Sequence, residues 1–414
     1  MTVDLEDLRR VRSADVLKAG RLAGRLERRP DGGIEFRYLD EYLRGADPEP
    51  VAFALPLGPD AVHTPSGSLP AFFAGLLPEG HRLTVLRRAV KTSASDELSL
   101  LLAVGEDAPG DVQIVPEGVE PSEPPPVIGA EASDALDFNA LVDELDRHAI
   151  PGMQRKASAS MISTPLATRS GRYILKLSPI EYPHLVENEA AHLAAARALK
   201  VPVSAAAVVH DRDGTPGLLV QRFDRVRGDD GAWLRLALED ATQVLGQPPA
   251  AKYNVDGEHV VTALAGVCGA PAVATRNLYL QFLFAWLTGN GDLHAKNLAV
   301  LRADAGGRPG RPGSPGSRCN RWAIAPVYDI PCTLVYGDDS MALPIAGRTR
   351  RLRLHHWREF GSAIGLPERA AASAERVALA ASGRVDLAEL PFHGSPLNGA
   401  LRELRLRRGE LTGG

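Results

Sequence analysis

Hydrophobic and polar positions along this chain change period several times, and each change marks an element. Residues 277–287 are apolar on nearly every side, which predicts a helix buried all round. Residues 187–200 are alanine-rich with Leu193 and Leu199 on a helical period, and the helix stops at Val201-Pro202. Residues 157–163 and 172–177 flank a turn-rich segment ending in Ser170-Gly171 and predict an antiparallel pair. Val208-Val209 and Leu218-Leu219-Val220 predict two further strands around the Asp213-Gly214 turn. Two apolar runs, 298–301 and 322–325, are able to pair as a hairpin across a connection rich in glycine, proline and arginine.

Composition adds boundaries. Pro121-Ser122-Glu123-Pro124-Pro125-Pro126 is stiff and acidic, a connector between an N-terminal domain and the rest. Residues 303–320 cannot form a packed element and are expected to be a mobile basic loop. With 414 residues and 44% hydrophobic content the chain is long enough for two or three domains with real cores. Its 47 basic and 51 acidic side chains give a net charge of −4, so no global field attracts nucleic acid. Cys268, Cys319 and Cys332 are widely spaced, which argues against a zinc site or a disulfide framework. The acidic start of the chain carries no secretory signal pattern, and no apolar run reaches membrane-spanning length. A reducing cytoplasm is the expected location.

Candidate chemistry centres on Gly291-Asp292-Leu293-His294-Ala295-Lys296-Asn297, which has the spacing of a protein-kinase catalytic loop. Val327-Tyr328-Asp329 supplies a second acid after the second apolar run. If the runs pair, Asn297 precedes one strand and Asp329 follows the other, so both arrive at the same end within reach of one cation. Oxygen ligands of this kind suit Mg2+ on nucleotide phosphates. Phosphoryl transfer requires such a set: a carboxylate near the acceptor hydroxyl, and an amide and another carboxylate on the metal. No His or Cys stands at ligand spacing from His294 to make a transition-metal site. The competing structural reading is a polar turn in which Asp and Asn bond their own backbone.

Upstream, Lys176 interrupts an apolar strand, where a charge is costly unless paired. Glu187 and Glu189 open the next helix, and either is placed to pair with it. Pro151-Gly152-Met153-Gln154-Arg155-Lys156 stands where a loop would fold over nucleotide phosphates, although it has one glycine rather than three. Residues 219–224, with Gln221 and Phe223, end a strand whose backbone is placed to bond adenine. Phosphate loop, lysine strand, glutamate helix, hinge, catalytic acid and metal acid follow in the order a two-lobed kinase requires.

On these motifs the chain resembles the HipA family of serine/threonine kinases, the toxins of HipBA-type toxin–antitoxin systems. Residues 290–297 resemble the family's Gly-Asp-x-His-x-Lys-Asn loop, and Pro326-Val327-Tyr328-Asp329, residues 220–225, Glu239-Asp240 and Gln243-Val244-Leu245-Gly246 are further matches. Gly75-Leu76-Leu77-Pro78-Glu79-Gly80 and Gly110-Asp111-Val112-Gln113 are similar to the small domain that precedes the kinase core.

The resemblance implies an α+β, two-lobed protein-kinase-like fold with a HipA-type subdomain at 1–120 and a proline-rich linker at 121–135. A mixed small lobe at 136–223 and a mainly helical catalytic lobe at 224–414 follow. It further implies Asp292 as catalytic base, Asn297 and Asp329 as Mg2+ ligands, and Lys176 on the ATP phosphates with Glu189 as its partner. Gly152, Met153, Gln154 and Lys156 resemble the family's loop over ATP, while Gln221, Phe223 and His294 complete the nucleotide set. Well-known members autophosphorylate a serine three residues before that loop's glycine; here the position is Ala149, with Ser158, Ser160 and Ser163 nearby.

The implied partners are a helix-turn-helix antitoxin of HipB type, DNA through that antitoxin only, a second copy within the complex, and a protein substrate. In some relatives that substrate is an aminoacyl-tRNA synthetase. A small-molecule phosphotransferase and a non-catalytic corepressor are the other expectations the motifs leave open.

Overall fold

A computed structural model describes residues 4–123, 137–138, 161–168, 171–302 and 322–412. The chain forms two units. One is built from the described residues of Met1–Pro125, Asp224–Lys252 and Leu301–Ser317, the other from those of Pro126–Phe223, Tyr253–Val300 and Arg318–Gly414. No helix among the described residues is long and apolar enough to cross a membrane.

The first unit is organised by an antiparallel sheet of β1 (Ser13–Lys18), β2 (Arg21–Arg28), β3 (Ile34–Tyr38), β4 (Val62–Thr64) and β5 (Val112–Pro116), in the order β4-β3-β2-β1-β5. Ala19 and Gly20 both take positive φ, 47° and 77°, which gives the tight turn between β1 and β2 its compatible twist. Alternate residues such as Ala14, Val16, Ile34 and Phe36 point into a core closed by Phe72, Phe73, Leu98 and Leu101 from short helices.

Residues 224–252 join this unit, although the family resemblance implied a catalytic lobe beginning at 224. Arg225 explains the difference: its guanidinium is buried and donates to Gly110 O, Ala108 O and Asp107 Oδ1 at 2.7–3.1 Å, long-range bonds that no local pattern encodes. Glu239 accepts the Phe53 N–H, and Gln243 Nε2 donates to Phe72 O at 3.0 Å. A Cβ on Gly75 would lie 2.8 Å from the Gln243 side chain, so glycine is what lets the two segments close.

In the second unit, β6 (Ile162–Ala167), β7 (Arg172–Leu177), β8 (Ala206–His210) and β9 (Pro216–Gln221) form an antiparallel sheet in the order β6-β7-β9-β8. The expected β8–β9 pair is present around Gly214. The described part of the expected first strand is Ile162–Ala167: it runs on past residue 163 through Pro165, which an edge strand tolerates because no ladder partner needs its missing N–H. Residues 157–160 lie outside the described residues, as do those of the basic loop, 303–320.

The helix Leu185–Ala196 follows β7, starting two residues before the expected Glu187 because His184 turns the chain at φ 66°, and a 3-10 turn, Arg197–Leu199, closes it ahead of Pro202. The central helix is Pro271–Thr288, with proline in its first turn and Gly289 at φ 75° after its last. Its Tyr279, Phe282, Phe284 and Trp286 are fully buried, and Phe360 stacks on Tyr279 at 5.7 Å. The strands Ala299–Arg302 and Trp322–Ile324 lie side by side as the apolar runs predicted.

Candidate active site

Lys176 lies on β7 between Leu175 and Leu177, both buried. Its Nζ donates to the two Glu189 oxygens at 2.8 and 3.0 Å and to Asp329 Oδ1 at 2.9 Å. Burial opposes a charge on this lysine, but the Asp329 and Glu189 carboxylates outweigh it and hold the pKa above the ordinary lysine value. Glu189 is fully buried on the helix Leu185–Ala196. That burial raises its carboxyl, and the Asp329 charge adds to the rise against the pull of Lys176. Of the two candidate acids, Glu189 meets the lysine, while Glu187 lies 3.9 Å from His184 Nδ1.

Asn188 fixes this helix to the segment that follows Asp329. Its Nδ2 donates to Cys332 O and its Oδ1 accepts the Cys332 N–H, both at 2.9 Å. Asp329 itself sits in the left-handed region at φ 55°, which Asp tolerates better than branched residues do. Cys268 and Cys332 are free and buried, with thiols pushed up to about 12 and about 11 by burial, and neither is a reactive centre. Cys319 lies outside the described residues.

The loop after Gly289 is held by its own backbone. Asp292 N–H donates to Asn290 Oδ1 at 2.9 Å, and Asp292 O accepts from His294 N–H at 2.8 Å and from Asn297 Nδ2 at 2.9 Å. A polar turn and a site are therefore one structure here, since the turn fixes where the Asp292 side chain stands. Gly291 N–H donates to Thr333 Oγ1 at 2.8 Å, and a Cβ on Gly291 would come within 2.6 Å of Ser340 O and of that hydroxyl. Glycine is required by this close approach.

Asp292, His294 and Asn297 are all buried. Because the Asn297 amide nitrogen is committed to Asp292 O, its oxygen is the atom offered to a cation. The Asn297 oxygen and the Asp329 carboxylate are both oxygen donors, the kind a hard divalent cation takes. Lys176, in turn, is a compact charge suited to phosphate.

Gln221 ends β9 with its N–H donated to Ala205 O and its side chain exposed. The Phe223 ring packs 5.5 Å from Tyr328, whose hydroxyl donates to Lys296 O at 2.8 Å. Gly152, Met153, Gln154 and Lys156 lie outside the described residues, together with Ala149, Arg155, Ser158 and Ser160; Ser163 is on β6, opposite Lys176 in the ladder.

Three positioned side chains escaped the sequence reading. Asn188 and Thr333 act through contacts 144 and 42 residues away, and Tyr253 donates its hydroxyl to Asp292 Oδ1 at 2.9 Å across 39 residues. Asn188 lies in the stretch that holds Glu187 and Glu189, but no spacing gives any of the three its partner, and only the fold brings them in.

Comparison with known proteins assigns the chain. The family model for the HipA N-terminal domain matches residues 14–115, and that for the HipA-like C-terminal domain matches residues 148–384. A Sinorhizobium fredii protein, Y4mE, named as a candidate kinase, is 29% identical over 86% of this chain and 87% of its own length. The serine/threonine-protein kinase toxin HipA of Shewanella oneidensis is 27% identical over 68% of this chain and 67% of its own. The solved structure of Shewanella oneidensis HipA with HipB and operator DNA is 20% identical and superposes with a TM-score of 0.73 over 97% of both chains. With the C-terminal match alone spanning more than half of its residues, the chain belongs to the HipA family and carries that family's α+β, two-lobed kinase-like fold.

Proposed function

We propose that this protein is an ATP- and Mg2+-dependent serine/threonine protein kinase that acts as the toxin of a toxin–antitoxin pair. The observation that carries the reading is the grouping of Lys176, Glu189 and Asp329 in one partly buried ion cluster, beside a separately anchored loop that presents Asp292 and Asn297. Asp292 accepts the proton of an acceptor hydroxyl as that oxygen forms its bond to the γ-phosphorus and the bridge to ADP breaks. Asn297 and Asp329 hold the cation, and Lys176, fixed by Glu189, holds phosphate oxygens of ATP. The cation, when bound, offsets the negative charge of those oxygens. The family resemblance assigns Gly152, Met153, Gln154 and Lys156 to the phosphates, and Gln221, Phe223 and His294 to the rest of the nucleotide.

The family membership and the likeness to HipA in its HipB complex support a helix-turn-helix antitoxin as partner, with DNA reached through it. A host protein, an aminoacyl-tRNA synthetase among the candidates, is the proposed acceptor. Phosphoproteomics after induction of the wild type and of Asp292→Asn tests activity and target together. New phosphoserine or phosphothreonine sites confined to the wild type are the expected result. Phosphorylated metabolites without new protein sites point instead to a small-molecule phosphotransferase, and identical phosphoproteomes contradict catalysis through Asp292.

A further inference from the structure

Asp292 is anchored twice through its backbone, but backbone bonds do not set the rotation of a carboxylate. A side-chain bond does, and Tyr253 supplies one. The phenol donates to Asp292 Oδ1 at 2.9 Å, and the same ring meets the His294 imidazole edge-on, with centroids 5.1 Å apart and planes at 81°. Tyr253 is thus held by the loop's histidine while its hydroxyl holds the loop's acid.

We infer that Tyr253 is a positioning residue for phosphoryl transfer: by binding one oxygen of Asp292 it fixes the direction of the other, the one that must take the acceptor's proton. This rests on the reading of Asp292 as the base. A carboxylate buried as deeply as Asp292 gains more from one strong donor than an exposed one does, because no bulk water competes for it. Fixing its rotation before the acceptor arrives removes a degree of freedom that would otherwise have to be frozen in the transition state.

The test is Tyr253→Phe, which keeps the ring against His294 and removes only the hydroxyl. Initial rates of phosphate transfer from radiolabelled ATP into proteins of an ATP-depleted cell lysate are measured against ATP concentration, for wild type, Tyr253→Phe, Asp292→Asn and the double variant. Tyr253→Phe is expected to lower the maximal rate by about 10- to 100-fold with KM for ATP within about twofold, the scale on which misplacement of a catalytic group acts. In the Asp292→Asn background it is expected to have no further effect.

A Tyr253→Phe enzyme at wild-type rate overturns the inference, as does one that is faster, which would make the phenol an obstruction in the acceptor position. A parallel loss of ATP affinity and melting temperature also overturns it, because the hydroxyl would then be serving the fold. Full activity of Asp292→Asn overturns the assignment of the base itself, and so is distinguishable from failure of the tyrosine inference alone.

Discussion

Lys176 and Asp329 stand 153 residues apart in sequence and share a 2.9 Å ion pair, with the fully buried Glu189 closing the cluster from the other side. Removing the lysine strands two carboxylates. Lys176→Met is therefore expected to destabilise the protein by about 3–5 kcal/mol in urea unfolding, the usual consequence of breaking one side of a buried pair. Replacing Glu189 by Met in the same chain should return much of that loss. Phosphate transfer should be absent from both variants, which separates the lysine's role in catalysis from its role in the fold.

Asp329 combines charge with an unusual backbone. At φ 55° it occupies a region that Asn tolerates and that β-branched residues do not. Asp329→Asn is expected to keep its melting temperature and lose transfer by at least about 100-fold, the scale set by removing one electrostatic stabiliser. Asp329→Val is expected to lose about 1–2 kcal/mol of stability as well. Transfer by the wild type should stop in EDTA and return with excess Mg2+, as measured with labelled ATP.

His192, buried on the helix that carries Glu189, is a pH-dependent weight on the fold. Burial lowers its pKa to about 4, from an ordinary value of about 6.5, although its Nδ1 shares a 2.7 Å bond with Asn188 O. Between those two values the unfolded chain binds a proton that the folded chain refuses. Stability is thus complete above about pH 6.5 and declines by about 3 kcal/mol as pH falls toward 4. Urea titrations at pH 7 and pH 4.5 should show the decline, and His192→Gln should remove most of that slope.

Glu239 in the first unit has the opposite sign. Burial raises its carboxyl to about 8, against the positive charge of Lys18, while both of its oxygens face the Phe53 N–H. A raised carboxyl contributes stability that is complete below the unfolded value of about 4.3 and is lost as pH rises through the folded one. Glu239→Gln keeps an acceptor for Phe53 and removes the ionisation, so it should stabilise the unit at pH 9 relative to wild type and change little at pH 5. Melting curves at the two pH values test this.

How much of this was legible beforehand depended on distance along the chain. Lys176 announced itself because a charge in an apolar strand demands a partner, and residues 290–297 did so because the loop's spacing is local and contiguous. Pairing of the runs at 299–302 and 322–324 was also readable, since both are short apolar stretches. The choice between Glu187 and Glu189 came from a resemblance, because helical phase alone left either open. Tyr253, Asn188 and Arg225 were not singled out for one common reason: each acts through bonds to residues 39 to 144 positions away, and no periodicity records such bonds. The run of β6 past residue 163 was hidden by Pro165, which reads as a turn signal until the strand is known to be an edge.

The most direct test of the account is the rate of phosphate transfer from labelled ATP by purified wild type and purified Asp292→Asn, side by side, with circular dichroism and melting temperature recorded on the same samples. The account predicts Mg2+-dependent labelling of protein by the wild type and a loss of at least about 1,000-fold in the variant, with matching spectra, as befits removal of the base from a positioned phosphoryl-transfer site. Equal labelling by the two proteins, or none by a correctly folded wild type supplied with ATP, Mg2+ and lysate, would contradict it.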